Sequence, residues 1–170
     1  GISAKFLDTC RKINLNPSAS HNLEALRMLL STGSVLSPDC FDYVYQYVKE
    51  EICLSSISGG TDIVSCFVLG STILPVYRGE LQTRGLGLSV EVWNELGESV
   101  TGEKGKLVCT STFPSKPIMF WSDKNMDKYK SSYFERYSNV WFHGDYVKLM
   151  ESSGMIFYGR SDATLNRDCV

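Results

Sequence analysis

The sequence predicts an α/β fold in which a parallel strand-helix-strand unit is followed by antiparallel hairpins. Three observations carry this expectation. Residues 26–57 run strand, loop, helix, strand, and their apolar spacing switches from continuous to every third or fourth residue and back. Residues 88–109 and 140–160 show apolar alternation broken by turn-rich segments. The chain has 170 residues, 43% hydrophobic and 21% charged, which suffices for one ordinary globular domain with a core.

Taken in order, the chain opens in an apolar-containing stretch without a helix cap. Leu26 to Leu30 then form a short apolar strand that ends in the small-residue loop Ser31-Thr32-Gly33-Ser34. Ser37-Pro38-Asp39 supplies an N-cap, a proline at the first helical position and an early acid, so a helix is expected over 38–50. Its apolar positions Phe41, Val44, Tyr45, Val48 and Ile52 fall on one face. The strand Cys53-Leu54-Ser55-Ser56-Ile57 follows, ending in Ser58-Gly59-Gly60-Thr61-Asp62.

A strand-helix-strand unit of this length implies a parallel pair with a right-handed crossover. Both small-residue loops then leave the carboxyl edge of the sheet, where open α/β sheets bind ligands. Their hydroxyls and unhindered amides suit ribose, adenine edges or phosphate. Small-residue loops are also ordinary turns, and composition does not separate the two readings.

Further along, Leu88, Val90 and Val92 alternate with Ser89, Glu91 and Trp93, and Leu107-Val108-Cys109 lies beyond a turn-rich stretch, which together read as a hairpin. A helix is expected over 124–136. The last hairpin sets 140–150 against 155–160 around a loop at 151–154, with Met150 opposite Met155. That register places Asp145 directly across from Arg160. A cross-strand salt bridge worth about 0.2–1 kcal/mol is the simpler account of this pair. The functional account is a carboxylate that accepts from ribose hydroxyls beside an arginine that holds the same sugar or a phosphate.

Composition also excludes some classes. Seventeen basic against 19 acidic side chains, net charge −2, give no field to hold a phosphate backbone, so no nucleic-acid partner is expected. The longest apolar runs, such as 63–70, fall far short of the roughly 20 residues a membrane span needs. No signal peptide is visible in the sequence as it starts. The six cysteines, Cys10, Cys40, Cys53, Cys66, Cys109 and Cys169, are widely and irregularly spaced, so they read as reduced thiols of a cytosolic protein. His21 and His143 read as ordinary structural residues. Gly102-Glu103-Lys104-Gly105-Lys106 lacks the spacing of a phosphate loop, and Gly85-Leu86-Gly87 lacks the third glycine of a dinucleotide fingerprint. Both ends read as cut from a longer polypeptide.

Three segments in order, Ser58-Gly59-Gly60-Thr61-Asp62, Trp141-Phe142-His143-Gly144-Asp145 and Gly159-Arg160-Ser161-Asp162, resemble motifs of the adenylate-forming acyl-CoA synthetase superfamily. They match its aromatic-Gly-x-Thr-Glu, aromatic-x-x-Gly-Asp and Gly-Arg-x-Asp patterns. Residues 74–82 and 159–166 are most similar to members that activate acetoacetate, and the resemblance covers essentially the whole chain. It implies the end of a parallel sheet with flanking helices followed by a β-barrel-like subdomain, divided as 1–75 (α/β nucleotide-binding part), 76–160 (barrel-like part) and 161–170 (hinge towards a further domain).

The implied chemistry is a two-step ligation. The carboxylate of acetoacetate attacks the α-phosphate of ATP, giving an acyl-adenylate and pyrophosphate, and the thiol of CoA then displaces AMP. By the same resemblance Gly33, Ser34 and Val35 line adenine, and Ser58, Gly59 and Gly60 flank the nucleotide. Thr61 contacts the α-phosphate, Asp62 helps place Mg²⁺, Asp145 binds ribose with Arg160 beside it, Asp162 is the hinge and Cys169 lies near the CoA channel. No protein nucleophile is required, and the oligomeric state is left open.

Asp62 stands where most relatives carry Glu, which shortens the acid by one methylene. Gly59 stands where acetate-activating relatives carry a Trp, which implies room for a longer acid. Cys169 stands where a small glycine is usual, which implies a narrower path for the thiol or a changed backbone. The stretch holds neither the upstream phosphate loop nor the C-terminal lysine of the superfamily, so on its own it is expected not to turn over. A non-catalytic nucleotide-binding or interaction module is the competing reading, and a synthetase for another short-chain acid a third.

Overall fold

A computed structural model describes residues 1–161. The amino-terminal part is a parallel sheet of β1 (Ile2–Ser3), β2 (Met28–Thr32) and β3 (Cys53–Ser56) in that order, with Ile2 beside Ser31 and Met28 beside Cys53. The expected crossover joins β2 to β3 through α3 (Pro38–Tyr43), which runs on over Val44–Val48 as a widened π-helical turn. The helix therefore ends two residues short of the expected 50. Lys49 turns out of it to donate to the carbonyls of Leu23, Glu24 and Leu26 at 3.1, 2.8 and 2.7 Å. Its apolar face packs as the spacing predicts, with Phe41, Val44 and Val48 buried against Leu7, Leu36 and Leu54.

Three features of this half escaped the sequence reading. The start is capped after all: Ser3 Oγ accepts the Phe6 amide at 3.1 Å at the head of α1 (Ala4–Lys12). A short α2 (Pro17–Ser20) follows, with Asn16 capping the Ala19 amide. β2 also extends through Ser31 and Thr32, assigned above to a loop, because the parallel ladder pairs their backbone regardless of side chain.

The segment 58–60 is likewise a strand. β4 (Ser58–Gly60) pairs antiparallel with β5 (Ser65–Leu69), and β5 with β6 (Thr83–Arg84). The second antiparallel sheet contains β7 (Val90–Trp93), β8 (Lys104–Cys109), β9 (Trp141–Leu149) and β10 (Met155–Arg160), in the order β10-β9-β8-β7. Reciprocal 2.8 Å backbone bonds between Leu81 and Met155 link the two sheets. The order β10-β9-β8-β7 does not by itself establish the expected barrel-like arrangement, although Leu81 continues the pairing beyond β10 through its bridge to Met155. A second core lies here, around Phe67, Val92, Leu107, Trp141, Val147 and Met155.

α4 (Asp127–Tyr133) is shorter than the expected 124–136. Met126 before it is left-handed at φ 60°, and the carboxylate of Asp123 accepts the Tyr129 amide at 2.9 Å in place of a conventional cap. The last hairpin has Asp145 opposite Arg160, as expected, by a different route. Met155 pairs with Leu149 rather than Met150, so the loop is one residue longer than expected. A bulge between Phe157 and Gly159 then takes up the extra residue and restores the expected pairing at the far end. Among the described residues no helix is long and apolar enough to cross a membrane.

Candidate functional site

Both small-residue segments leave the carboxyl edge of the parallel sheet, and a cavity of about 750 Å³ opens between them and the β9–β10 hairpin. Gly33, Ser34 and Val35 lie on one side of it, and Ser58, Gly59, Gly60 and Thr61 on another. Asp145 and Arg160 complete its wall, so the side chains expected to act on one ligand do share one hollow. Asp62 lines a neighbouring cavity of about 460 Å³ that shares Gly59, Gly60, His143 and Arg160 with the first. Asp162 and Cys169 lie outside the described residues.

The backbone explains how an acid in a sheet comes to face a cavity. Where β8 advances from Lys106 to Val108, β9 advances from Tyr146 back to Phe142, so residues 143–145 bulge out of the ladder. Gly144 sits in this bulge at φ +86°, and on the neighbouring strand Gly159, opposite Tyr146, ends the bulge of β10 at φ +124°. Both angles disfavour any residue with a Cβ. The glycine before each charged residue thus aims Asp145 and Arg160 at the cavity.

Asp145 is buried, whereas the Arg160 side chain is about half exposed. The ion pair between Arg160 Nη1 and Asp145 Oδ1 is long at 3.7 Å; the short bond of that nitrogen, 2.7 Å, goes to the carbonyl of His143. Ser58 Oγ donates to Asp145 Oδ2 at 3.4 Å. The expected cross-strand ion pair is therefore present, but long, and both groups still face the cavity. A carboxylate and a guanidinium side by side on a cavity wall can take ribose hydroxyls and an anionic oxygen together.

His143, read above as an ordinary structural residue, lines both cavities. Trp141 Nε1 donates to its Nδ1 at 3.4 Å, which leaves the hydrogen on Nε2, 3.9 Å from Asp145 Oδ2. Burial lowers its pKa below the ordinary 6.5, Arg160 lowers it further, and Asp145 and Asp62 oppose both. Folding thus favours the neutral ring over the charged one. Between the folded and unfolded values the unfolded chain binds the extra proton, so stability rises with pH through that window. Urea titrations should show stability falling as pH drops below 6.5, with His143→Gln flattening that dependence.

Asp62 sits in the turn between β4 and β5, its Oδ1 accepting the Ile63 amide at 3.1 Å and its Oδ2 the Tyr133 hydroxyl at 2.6 Å. Among the described residues no cluster of three His, Cys, Asp or Glu side chains could hold a metal by itself. One carboxylate on the wall of an open cavity nonetheless fits Mg²⁺, which binds through one or two carboxylates and completes its shell with water and substrate phosphates. In the same turn Val64 is β-branched, 85% exposed and left-handed at φ 48°. Nothing packs on it to repay that strain, so Val64→Gly should raise stability by about 0.5–1 kcal/mol in urea titration.

The room expected from Gly59 has another cause. A Cβ at that position would lie 2.1 Å from the Ser65 carbonyl oxygen, so glycine is required there by the close approach of β4 to β5. A side chain would point at the neighbouring strand rather than fill the cavity, whose wall here is made by Val64, Ser65 and Cys66.

No family model matches the chain. It is 55% identical over 98% of its length to acetoacetyl-coenzyme A synthetase of Rhizobium meliloti, and 48% identical over its whole length to acetoacetyl-CoA synthetase of Gallus gallus. It spans about a quarter of each, 26%. Among solved structures, acetoacetyl-CoA synthetase from Streptomyces lividans matches over 97% of the chain with 40% identity and a TM-score of 0.86, covering 26% of that protein. The anthranilate CoA ligase AuaEII in complex with anthranoyl-AMP shares the fold, with a TM-score of 0.75 at 17% identity over 97% of the chain and 30% of the ligase.

Proposed function

Since the chain belongs with the acetoacetyl-CoA synthetases, to about a quarter of whose length it is homologous, we propose that it carries the nucleotide and acyl-adenylate cavity of an acid-thiol ligase. In the first step the acetoacetate carboxylate attacks the α-phosphorus of ATP and pyrophosphate leaves. In the second the CoA sulfur attacks the acyl carbon and AMP leaves. Both transfers need positioned donors around anionic oxygens rather than a protein nucleophile.

Within this reading adenine rests against Gly33, Ser34 and Val35, and the ribose hydroxyls donate to Asp145. Arg160 holds the sugar edge or the phosphate. Thr61, exposed on the cavity rim, donates its hydroxyl to the α-phosphate, and Ser58, Gly59 and Gly60 flank it. His143 keeps Asp145 from turning inward. Mg²⁺, held by Asp62, would neutralise charge on the phosphates. Asp162 as a hinge and Cys169 beside the thiol path belong to the same proposal.

The observation that carries this reading is that Thr61, Asp145, Arg160 and the 33–35 loop, drawn from distant parts of the chain, line one cavity. The test uses the intact polypeptide that carries this chain. It should release AMP and pyrophosphate from ATP in the presence of acetoacetate and CoA. Turnover with another short acid but none with acetoacetate would overturn the substrate; no AMP with any acid would favour the non-catalytic module. The wide cysteine spacing supports a cytosolic place for it, and acetoacetate as substrate would place it in ketone-body and lipid metabolism.

A further inference from the structure

We infer that Tyr133 is a positioning residue that fixes the Asp62 carboxylate for its metal and phosphate ligand, an inference that rests on the ligase reading above. Asp62 lies in a partly exposed turn, where a carboxylate would ordinarily sample several rotamers. Here Tyr133 Oη donates to Oδ2 at 2.6 Å, a short charge-assisted bond, while the Ile63 amide holds Oδ1. Each oxygen is thereby oriented by one donor. Of the roughly four lone-pair sites of a carboxylate, the two left over are thereby set in direction.

Tyr133 is itself placed by something other than Asp62. Its ring stacks on Trp141 at 3.7 Å and 15°, and packs edge-on against Phe120 and Tyr129. Tyr133, Asp62 and Arg160 line the same 460 Å³ cavity, so the arrangement faces a ligand rather than closing a core. The rigid aromatic cluster of α4, Phe120 and β9 thus sets the angle of an acid on the β4–β5 turn.

Tyr133→Phe separates the roles, because it keeps the stacked ring and deletes only the donor. In the intact polypeptide, acetoacetate-dependent exchange of pyrophosphate into ATP should fall about 10- to 100-fold in rate, the size expected of a hydrogen bond to a charged group. The KM for acetoacetate should stay unchanged. Mn²⁺ binding in the presence of ATP, followed by electron paramagnetic resonance, should weaken by a similar factor, while affinity for AMP without metal and the thermal midpoint hold. In an Asp62→Ala background the same change should add nothing, since the carboxylate that Tyr133 orients is gone. Wild-type exchange and Mn²⁺ affinity in Tyr133→Phe would overturn the inference, and so would a proportional loss of AMP affinity and thermal midpoint. A wild-type polypeptide silent with every acid would overturn the ligase reading instead, and its Mn²⁺ binding would still report on Tyr133.

Discussion

Asp145→Ala is expected to lower acetoacetate-dependent pyrophosphate exchange by about 10³-fold, the largest effect of any single side chain on the cavity wall. Asp145 is buried, accepts from Ser58 at 3.4 Å and lies 3.7 Å from Arg160. Removing it deprives the ribose hydroxyls of their acceptor and leaves Arg160 without the carboxylate beside it. Asp145→Asn keeps the shape and returns one acceptor oxygen, so its loss should be smaller, with AMP affinity reduced more than the rate. Isothermal titration of AMP alongside the exchange assay separates the two. A wild-type AMP affinity in Asp145→Ala would remove this residue from the nucleotide site.

Gly144→Val should produce the second largest effect, on stability and activity together. At φ +86° a β-branched residue is strongly disfavoured, and the expected cost is about 2–3 kcal/mol in urea titration. The backbone can relax by flattening the 143–145 bulge, and that turns Asp145 out of the cavity. Exchange should therefore fall well beyond what the loss of folded protein explains. Gly144→Asn, which tolerates the left-handed region better, should recover part of both. If Gly144→Val were destabilised yet fully active per folded molecule, the bulge would have no part in aiming the acid.

Much of this site was legible in the sequence because its elements are local. Ser37-Pro38-Asp39 marks where α3 begins, and apolar spacing marks its face, so the crossover and the shared edge for 33–35 and 58–61 follow from topology alone. The Asp145–Arg160 pairing was also legible, though the longer loop and the bulge that cancel each other were not. Register near a turn depends on loop geometry, and residues 150–154 carry no signal that distinguishes a four- from a five-residue closure. Ser58–Gly60 was read as loop because glycine and serine are poor strand formers, whereas pairing with β5 overrides that propensity.

What the sequence withheld is long-range. Tyr133 meets Asp62 across 71 residues, and no local pattern joins them. The lowered pKa of His143 depends on its burial among groups such as Phe67 and Trp141, which only the packed sheet creates. The reason for Gly59 was likewise hidden: the close approach of Ser65 is a fact of strand pairing.

A crystal structure of the intact polypeptide with AMP bound reaches the root of the account. It should show the ribose hydroxyls on the Asp145 carboxylate, adenine against 33–35 and the phosphate beside Thr61. AMP seated elsewhere, with Asp145 and Arg160 making no contact to it, would contradict the nucleotide site described here.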